Sequence, residues 1–514
     1  MFKETSTQQC DLLVIGGGIN GAGIARDAAG RGLSVILCEK DDLAAHTSSA
    51  SSKLIHGGLR YLEFYEFSLV RKALQEREDL MRIAPHLISP LQFVMPYVNG
   101  LRPYWFLRAG LFVYDHLARR DLLPSTRGIE FSQHESGASL KSHLQRGFEY
   151  ADAWVDDARL VVLNAIDAQQ RGAKILTRTA CENLTVQNGR WLAELCHTDN
   201  FSQQYRFKVD AACIVNATGA WASQFQVRCN ASNSPPKLRL IKGSHIVVKR
   251  LFNHSRAYIF QHPDGRIVFA IPYENNFTLI GTTDFEYHGD LDNLKISEQE
   301  IDYLCDLSNH YFRSQISAAD VVHSFSGVRP LVDDGHADAK SITRDYRLEF
   351  VQLPAPALHV LGGKITTYRR LAEEAVNQIQ LALPHAPVQQ AWTKKACLPG
   401  GTIFSEEPSN QNVQEFSRFL TLCCERYPWL PTKLVQRLAR AYGTQIHQVL
   451  ENSHDEKSMG EQVLEGLYAC EIDYLIQREF AMTAQDILWR RTKLGLHLAA
   501  DAEQVLTDWI QTHH

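Results

Sequence analysis

The stretch Asp11-Leu12-Leu13-Val14-Ile15-Gly16-Gly17-Gly18-Ile19-Asn20-Gly21, completed by Val35-Ile36-Leu37-Cys38-Glu39, decides the fold. Two short apolar runs flank a glycine turn and a helical segment, the pattern of buried parallel strands. Gly16 permits a tight turn, Gly18 lets a pyrophosphate approach the backbone, and Gly21 lets helix and strand pack closely. The helix start offers N–H groups and positive potential to phosphates. Glu39, at the end of the second run, can accept the ribose hydroxyls. Alone, the glycine pattern also fits a turn in an unrelated α/β fold. The strand before it, the helix after it and the acidic residue beyond favour a dinucleotide site.

Further along, Phe67, Val70, Leu74 and Met81 line one side of a predicted helix over 66–84, and a second helix is expected from Arg159 to Arg171. From about 175 to 285 short β-rich runs alternate with turn signals such as His262-Pro263-Asp264-Gly265. Ala212 to Asn216 reads as a return to the nucleotide fold. Beyond Cys397-Leu398-Pro399-Gly400-Gly401 the pattern is helical. Helices are predicted over Thr432–Tyr442, closed by Gly443, and over Asp473–Phe480 and Asp486–Lys493. The expected architecture is an α/β FAD-binding Rossmann-like domain over 1–395, interleaved with an antiparallel β-rich substrate domain (about 80–150 and 175–350). A C-terminal all-α domain follows over 396–514.

Two segments point to a flavin. Asn216-Ala217-Thr218-Gly219-Ala220-Trp221, a turn after an apolar strand, resembles the turn that closes over the adenosine half in flavoproteins, though a short turn after any strand looks similar. Leu361-Gly362-Gly363-Lys364-Ile365-Thr366-Thr367 precedes a helix expected to bury Leu371, Ala375 and Ile379. Lys364 and that helix start would stabilise the negative charge of a reduced flavin. The plainer alternative is an ordinary helix capped by Thr366.

With 514 residues, 45% apolar and 22% charged, the chain has length for two to three domains. Its formal charge of 53 − 58 = −5 argues against a general nucleic-acid binder. Eleven cysteines show neither a disulfide framework nor a zinc pattern, and no metal site is expected. The first residues lack the apolar core of a signal peptide. No stretch approaches the roughly 20 apolar residues that span a bilayer. Any membrane contact is therefore expected to be interfacial. The best candidate is Leu101–Leu123, where Tyr104, Trp105, Phe106, Leu111, Phe112 and Tyr114 alternate with Arg102, Arg108, Arg119 and Arg120. A core helix with its aromatics packed inside is the sober alternative.

The run Thr47-Ser48-Ser49-Ala50-Ser51-Ser52-Lys53-Leu54-Ile55-His56-Gly57-Gly58-Leu59-Arg60-Tyr61 resembles the FAD-dependent glycerol-3-phosphate dehydrogenases, bacterial and mitochondrial. So do Trp154-Val155-Asp156-Asp157-Ala158-Arg159, Lys242-Gly243-Ser244-His245, Ser326-Gly327-Val328-Arg329-Pro330 and Ile342-Thr343-Arg344-Asp345-Tyr346. Gly362-Gly363-Lys364 and Leu488-Trp489-Arg490-Arg491-Thr492-Lys493 match as well. Ala220 stands where that family often has proline, which touches turn stiffness and not chemistry. The length resembles the short bacterial form.

The resemblance implies oxidation of sn-glycerol 3-phosphate to dihydroxyacetone phosphate by hydride transfer to FAD. Electrons then pass to ubiquinone or menaquinone at the cytoplasmic face of the inner membrane. A homodimer is compatible with it. Implied cofactor residues are Gly16, Gly18, Asn20, Gly21, Glu39, Ser48, Ser52, Lys53, Gly219, Lys364 and Thr366. Arg60, Tyr61, His245, Arg329 and Arg344 would bind substrate, since arginine forks suit phosphate. His245 is the first choice for general base, with Arg329 its rival and Lys364 the flavin-stabilising cation. Three rivals stay open: a glycerol-3-phosphate oxidase using oxygen, an amino-acid oxidase-like flavoenzyme, and a flavin-binding protein without turnover.

Overall fold

The computed structural model describes residues 7–228, 238–261, 265–333, 345–383 and 388–514. Strand β1 (Gln8–Ile15), helix α1 (Ile19–Gly30) and strand β2 (Val35–Cys38) follow the opening pattern closely. β1 lies in the middle of a parallel core, paired with β2 on one side and with Gln204–Asn216 on the other. Ala357–Leu361 and Lys174–Leu176 extend this core in parallel. Leu12, Leu13 and Val14 are fully buried, as strands covered on both faces require. A Cβ on Gly21 would sit 1.9 Å from the Gly16 carbonyl oxygen, so only glycine lets α1 start here.

Helices α2 (Phe67–Ile83), α3 (Tyr104–His116) and α4 (Asp157–Gln170) come next. α1 packs against α4 and against the helix Tyr368–Ala382. Val70, Leu74 and Met81 of α2 are buried, while Phe67 stays 42% exposed at its start.

A second, ten-stranded sheet is mostly antiparallel and draws on strands between residues 54 and 332. It does not include Thr179–Gln187 and Arg190–Thr198, which the sequence reading put in the substrate part, nor Gln204–Asn216, whose last residues it read as the return to the nucleotide fold. Arg190–Thr198 pairs antiparallel with Gln204–Asn216, and Thr179–Gln187 pairs with Arg190–Thr198, so both are an arm of the first sheet. Local β character cannot distinguish these sheets; only the pairing partner does.

The C-terminal residues form a helical body with its own core, including Leu438, Tyr442, Ile446, Leu475, Ile487 and Leu506. It is not purely α: Gln462–Leu464 and Leu467–Tyr468 make a small hairpin. Thr432–Tyr442 is a helix as predicted, and Asp486–Arg491 is a wider π-type turn.

Several histidines are buried neutral. Burial, with nearby cations, pushes His86 and His245 down to about 3, and His254 and His323 to about 4. Burial alone takes His359 to about 4. Unfolded histidines bind protons near pH 6.5. The unfolded chain therefore takes up more protons than the folded one between pH 6.5 and about 3–4. Stability is expected to fall as pH drops through that window, each histidine adding up to about 1.4 kcal/mol per pH unit. Denaturant melts at pH 7 and pH 5 check this; equal midpoints would contradict it.

Candidate functional site

The glycine turn opens a cavity of about 540 Å³ between the two sheets. Gly16 has φ +111°, and a Cβ on it would lie 2.5 Å from the Ala217 carbonyl. Ser48 Oγ accepts the Ile19 N–H at 3.0 Å, and a Cβ on Gly18 would approach that hydroxyl at the same distance. Glu39 is buried, its carboxylate accepting the N–H of Gly17 at 2.6 Å and of Asp41 at 2.9 Å. Burial raises its pKa, against the pull of those N–H groups and of His46.

Gly16, Gly18, Asn20, Glu39, Ser48, Ser52, Gly219, Lys364 and Thr366 all line this cavity. Asn20 Nδ2 donates to the Gly362 carbonyl at 3.3 Å, and its buried Oδ1 has no partner among the described residues. A helix start, a buried carboxylate at the end of β2 and a lysine at the far end fit a dinucleotide that ends in a flavin.

One wall of the cavity is formed where strands Leu238–Lys249 and Val321–Val332 pair, with Ile241 opposite Arg329 and His245 opposite Phe325. His245 stacks on Phe325 at 4.9 Å, and its Nε2 meets Ser52 Oγ at 2.9 Å. Its Nδ1 is buried without a partner among the described residues. Burial, then Lys53 and Arg329, hold its pKa at about 3, so the ring is neutral. Arg329 reaches Asp284 at 2.9 Å and the Thr283 carbonyl at 3.3 Å. Gly243 makes room, since a Cβ there would lie 3.0 Å from Arg329 Nη2. Lys364 Nζ sits 3.8 Å over the Tyr61 ring.

Some expected residues stand elsewhere. Lys53 does not line the cavity: its ammonium is buried on both Asp157 oxygens, at 2.8 and 2.9 Å, and on the Ser49 carbonyl. Gly21 serves the close packing of helix and strand expected of it and does not line the cavity. Thr366 does not cap the following helix; its hydroxyl meets the backbone of His56 at 3.4 and 3.5 Å. Arg60 lines a second cavity rather than the first. Arg344 lies outside the described residues, as do His262, Pro263 and Asp264 of the turn signal. Sequence reasoning missed Asp284, the Ser52–His245 contact and the half-buried His56, which lines both cavities. Asp284 follows Thr282-Thr283 at a strand end, the signal that could have found it.

The second cavity, about 640 Å³, shares Ser52, Leu54, His56, Tyr61, Thr282 and Arg329 with the first. Its other walls include Leu59, Leu62, Phe93, Phe106, Leu107, Val113 and Phe269. Beneath it, Tyr114 of α3 donates to Asp152 at 2.8 Å and accepts the Gly57 N–H at 2.8 Å, while Arg77 holds Asp152 at 2.5 Å. α3 buries Leu111 and Tyr114 but exposes Trp105 (70%) and Phe112 (62%). Tyr65, 81% exposed, and Phe64 belong to the loop that α3 packs against. No helix among the described residues is long and apolar enough to cross a membrane.

Comparison with known proteins covers nearly the whole chain. Residues 11–352 match the model of the FAD dependent oxidoreductases, and 391–512 that of the C-terminal domain of alpha-glycerophosphate oxidase. A glycerol-3-phosphate dehydrogenase of Pseudomonas aeruginosa is 50% identical over 98% of this chain and 95% of its own. A D-erythritol 1-phosphate dehydrogenase of Brucella abortus is 46% identical over 98% of both chains. Among solved structures, the glycerol-3-phosphate dehydrogenase of Bacillus halodurans complexed with FAD superposes with a TM-score of 0.78 at 28% identity, covering 99% of this chain and 91% of that one.

Proposed function

Because this chain belongs to the FAD-dependent oxidoreductases, among the glycerol-3-phosphate dehydrogenases, we propose that it oxidises sn-glycerol 3-phosphate to dihydroxyacetone phosphate and passes the electrons to a membrane quinone. The observation that carries this reading is a neutral buried histidine and an arginine fork meeting at one end of a dinucleotide-sized groove. Bound FAD supplies the hydride acceptor.

The chain's own groups do the rest. The Gly16–Gly18 turn and the start of α1 hold the pyrophosphate, and Glu39 holds the ribose. Arg329, with Arg60, Tyr61 and Arg344, binds the substrate phosphate, Arg329 exchanging Asp284 for the phosphate oxygens. Through Nε2, which meets the cavity-lining Ser52 hydroxyl, the neutral His245 ring takes the C2 hydroxyl proton. A phosphate dianion on Arg329 offsets one of the charges that depress His245 and makes it a better base. An arginine base would need a far larger perturbation, which favours His245. Lys364 and the helix start after it would offset negative charge on the bound cofactor.

The acceptor reading draws on the second cavity, whose apolar walls share residues with the flavin end and reach α3. Exposed Trp105 and Phe112 suit the headgroup level of a bilayer, with Arg108 and Arg119 beside anionic lipid. Arg120 is not part of this surface, since it is nearly buried in a 2.6 Å ion pair with Asp115. Replacing Trp105 and Phe112 with serine and Arg108 and Arg119 with glutamine is expected to weaken pelleting with anionic liposomes and slow quinone reduction. Activity with a soluble dye should stay near normal. Wild-type pelleting by the variant would remove α3 as the contact.

The substrate class is tested by anaerobic titration of the yellow protein with glycerol 3-phosphate, erythritol 1-phosphate and glycine. Bleaching by glycerol 3-phosphate at the lowest concentration supports this reading. A preference for erythritol 1-phosphate, the substrate class in the name of the Brucella relative, or for glycine, would replace it. Gly18→Val would put a side chain where the pyrophosphate lies and is expected to lower FAD content. A variant retaining full FAD would count against the turn.

A further inference from the structure

The C-terminal body reaches back to the turn that follows β2. Asp42 is fully buried and follows Glu39 on the turn after β2. Arg491, also fully buried, grips both its carboxylate oxygens at 2.8 Å, and Arg490 Nε adds a third bond at 2.5 Å. The other arm of Arg490 binds Asp486, which also accepts Arg178 at 2.7 Å. The Arg178 N–H in turn donates to the Asp41 carbonyl at 2.9 Å, and the Thr179 N–H to the Glu39 carbonyl at 2.7 Å. The turn Glu39–Asp42 is thus held from the C-terminal side at Asp42 and, through Asp486 and Arg178, at its backbone.

We propose that Arg490 and Arg491 are positioning residues for FAD: through Asp42 they fix the turn that aims Glu39 at the adenosine ribose, and so couple cofactor affinity to docking of the C-terminal domain. The inference rests on Glu39 being the ribose acceptor. The physical reason is that Asp42 cannot lose its arginines and stay where it is. Without Arg491 the carboxylate keeps only the Arg490 bond to Oδ2, and its Oδ1 becomes uncompensated buried charge, so the turn must move to hydrate it. Movement at Asp42 passes to Glu39 through the 2.9 Å bond from the Asp41 N–H to the Glu39 carboxylate. A buried ion pair adds little to stability over an apolar contact of the same shape, but the bidentate fork fixes direction. Linkage makes the effect mutual: FAD on Glu39 must favour the docked C-terminal domain by the same factor.

The test is a double-mutant cycle on the Kd for FAD, measured with the full-length apoprotein well below its melting temperature. Arg491→Gln is expected to raise Kd tenfold or more, and Glu39→Gln to raise it as well. Arg491→Lys, which keeps a cation but not the fork, should give an intermediate value. The double variant should bind no more weakly than Glu39→Gln alone, because both act on the same contact. Independent, additive losses would mean that Arg491 only stabilises the fold, and would overturn the proposal. So would a Kd for Arg491→Gln within twofold of wild type while Glu39→Gln is weakened. If Glu39→Gln binds FAD normally, the ribose assignment fails and the latch with it. Should Arg491→Gln not fold, the cycle is run with Arg491→Lys, and the same non-additivity is required.

Discussion

Replacing Arg329 with alanine is expected to lower kcat/KM for glycerol 3-phosphate by about 30-fold to several thousand-fold, while the protein keeps its FAD. Truncating one partner of a charged, hydrogen-bonded pair in a closed site costs about 2–5 kcal/mol, and each 1.4 kcal/mol is a factor of about ten. The Arg329 side chain is 37% exposed and paired with Asp284 before substrate arrives, so the guanidinium is held in place for the phosphate. Its removal leaves Asp284 in the site with one partner fewer, which adds repulsion toward a phosphate dianion. Both effects should appear mainly in substrate binding, with KM rising more than kcat falls. Arg329→Lys keeps the charge without the fork and should recover only part of the loss. Steady-state kinetics with a dye acceptor, alongside the flavin spectrum of each variant, check this. Near-normal kcat/KM in a yellow Arg329→Ala protein would remove Arg329 from the phosphate site.

His245→Ala is expected to slow anaerobic flavin reduction by about 10²- to 10⁴-fold, the usual worth of a positioned general base. The pH dependence carries the sign. His245 must be neutral to take the proton, so the wild-type reduction rate should fall as pH drops through its pKa in the substrate complex. Burial sets that value at about 3 in the free protein, and the incoming phosphate moves it upward. The acid limb should therefore lie above pH 3 and disappear in the alanine variant. The variant also removes the partner of Ser52, so Ser52→Ala serves as a control with a smaller expected effect. Unchanged reduction in His245→Ala would move the base role to Arg329 or to solvent.

What the sequence revealed and what it hid follow from range. The turn from Gly16 to Glu39 was legible because its logic is local: two apolar strands, three glycines and one acid, each acting on neighbours within a βαβ unit. Helices α2 and Thr432–Tyr442 were legible for the same reason, since the periodicity of an apolar face is a local property. The contact between Ser52 and His245 was not, because it joins the loop before the short strand Leu54–Ile55 to the distant strand Leu238–Lys249. Nor was the Asp284 partner of Arg329, which depends on which strand lies beside Val321–Val332. Lys53 shows the limit from the other side. Its place beside the flavin motif suggested a cofactor contact, yet Asp157, the residue after the α4 cap, takes its ammonium into the interior. The wide turn Asp486–Arg491 was readable as helical, but its arginines' partner, Asp42, sits at the other end of the chain.

The central claim is that hydride leaves C2 of glycerol 3-phosphate for FAD at the His245–Arg329 end of the groove. The most direct measurement is single-turnover anaerobic bleaching with glycerol 3-phosphate carrying deuterium at C2, compared with the protiated substrate. Both substrates are expected to bleach the flavin fully, the deuterated one several-fold more slowly, as cleavage of that bond requires. No bleaching by glycerol 3-phosphate, or bleaching that begins without cleavage at C2 and shows no isotope effect at any pH, would contradict it.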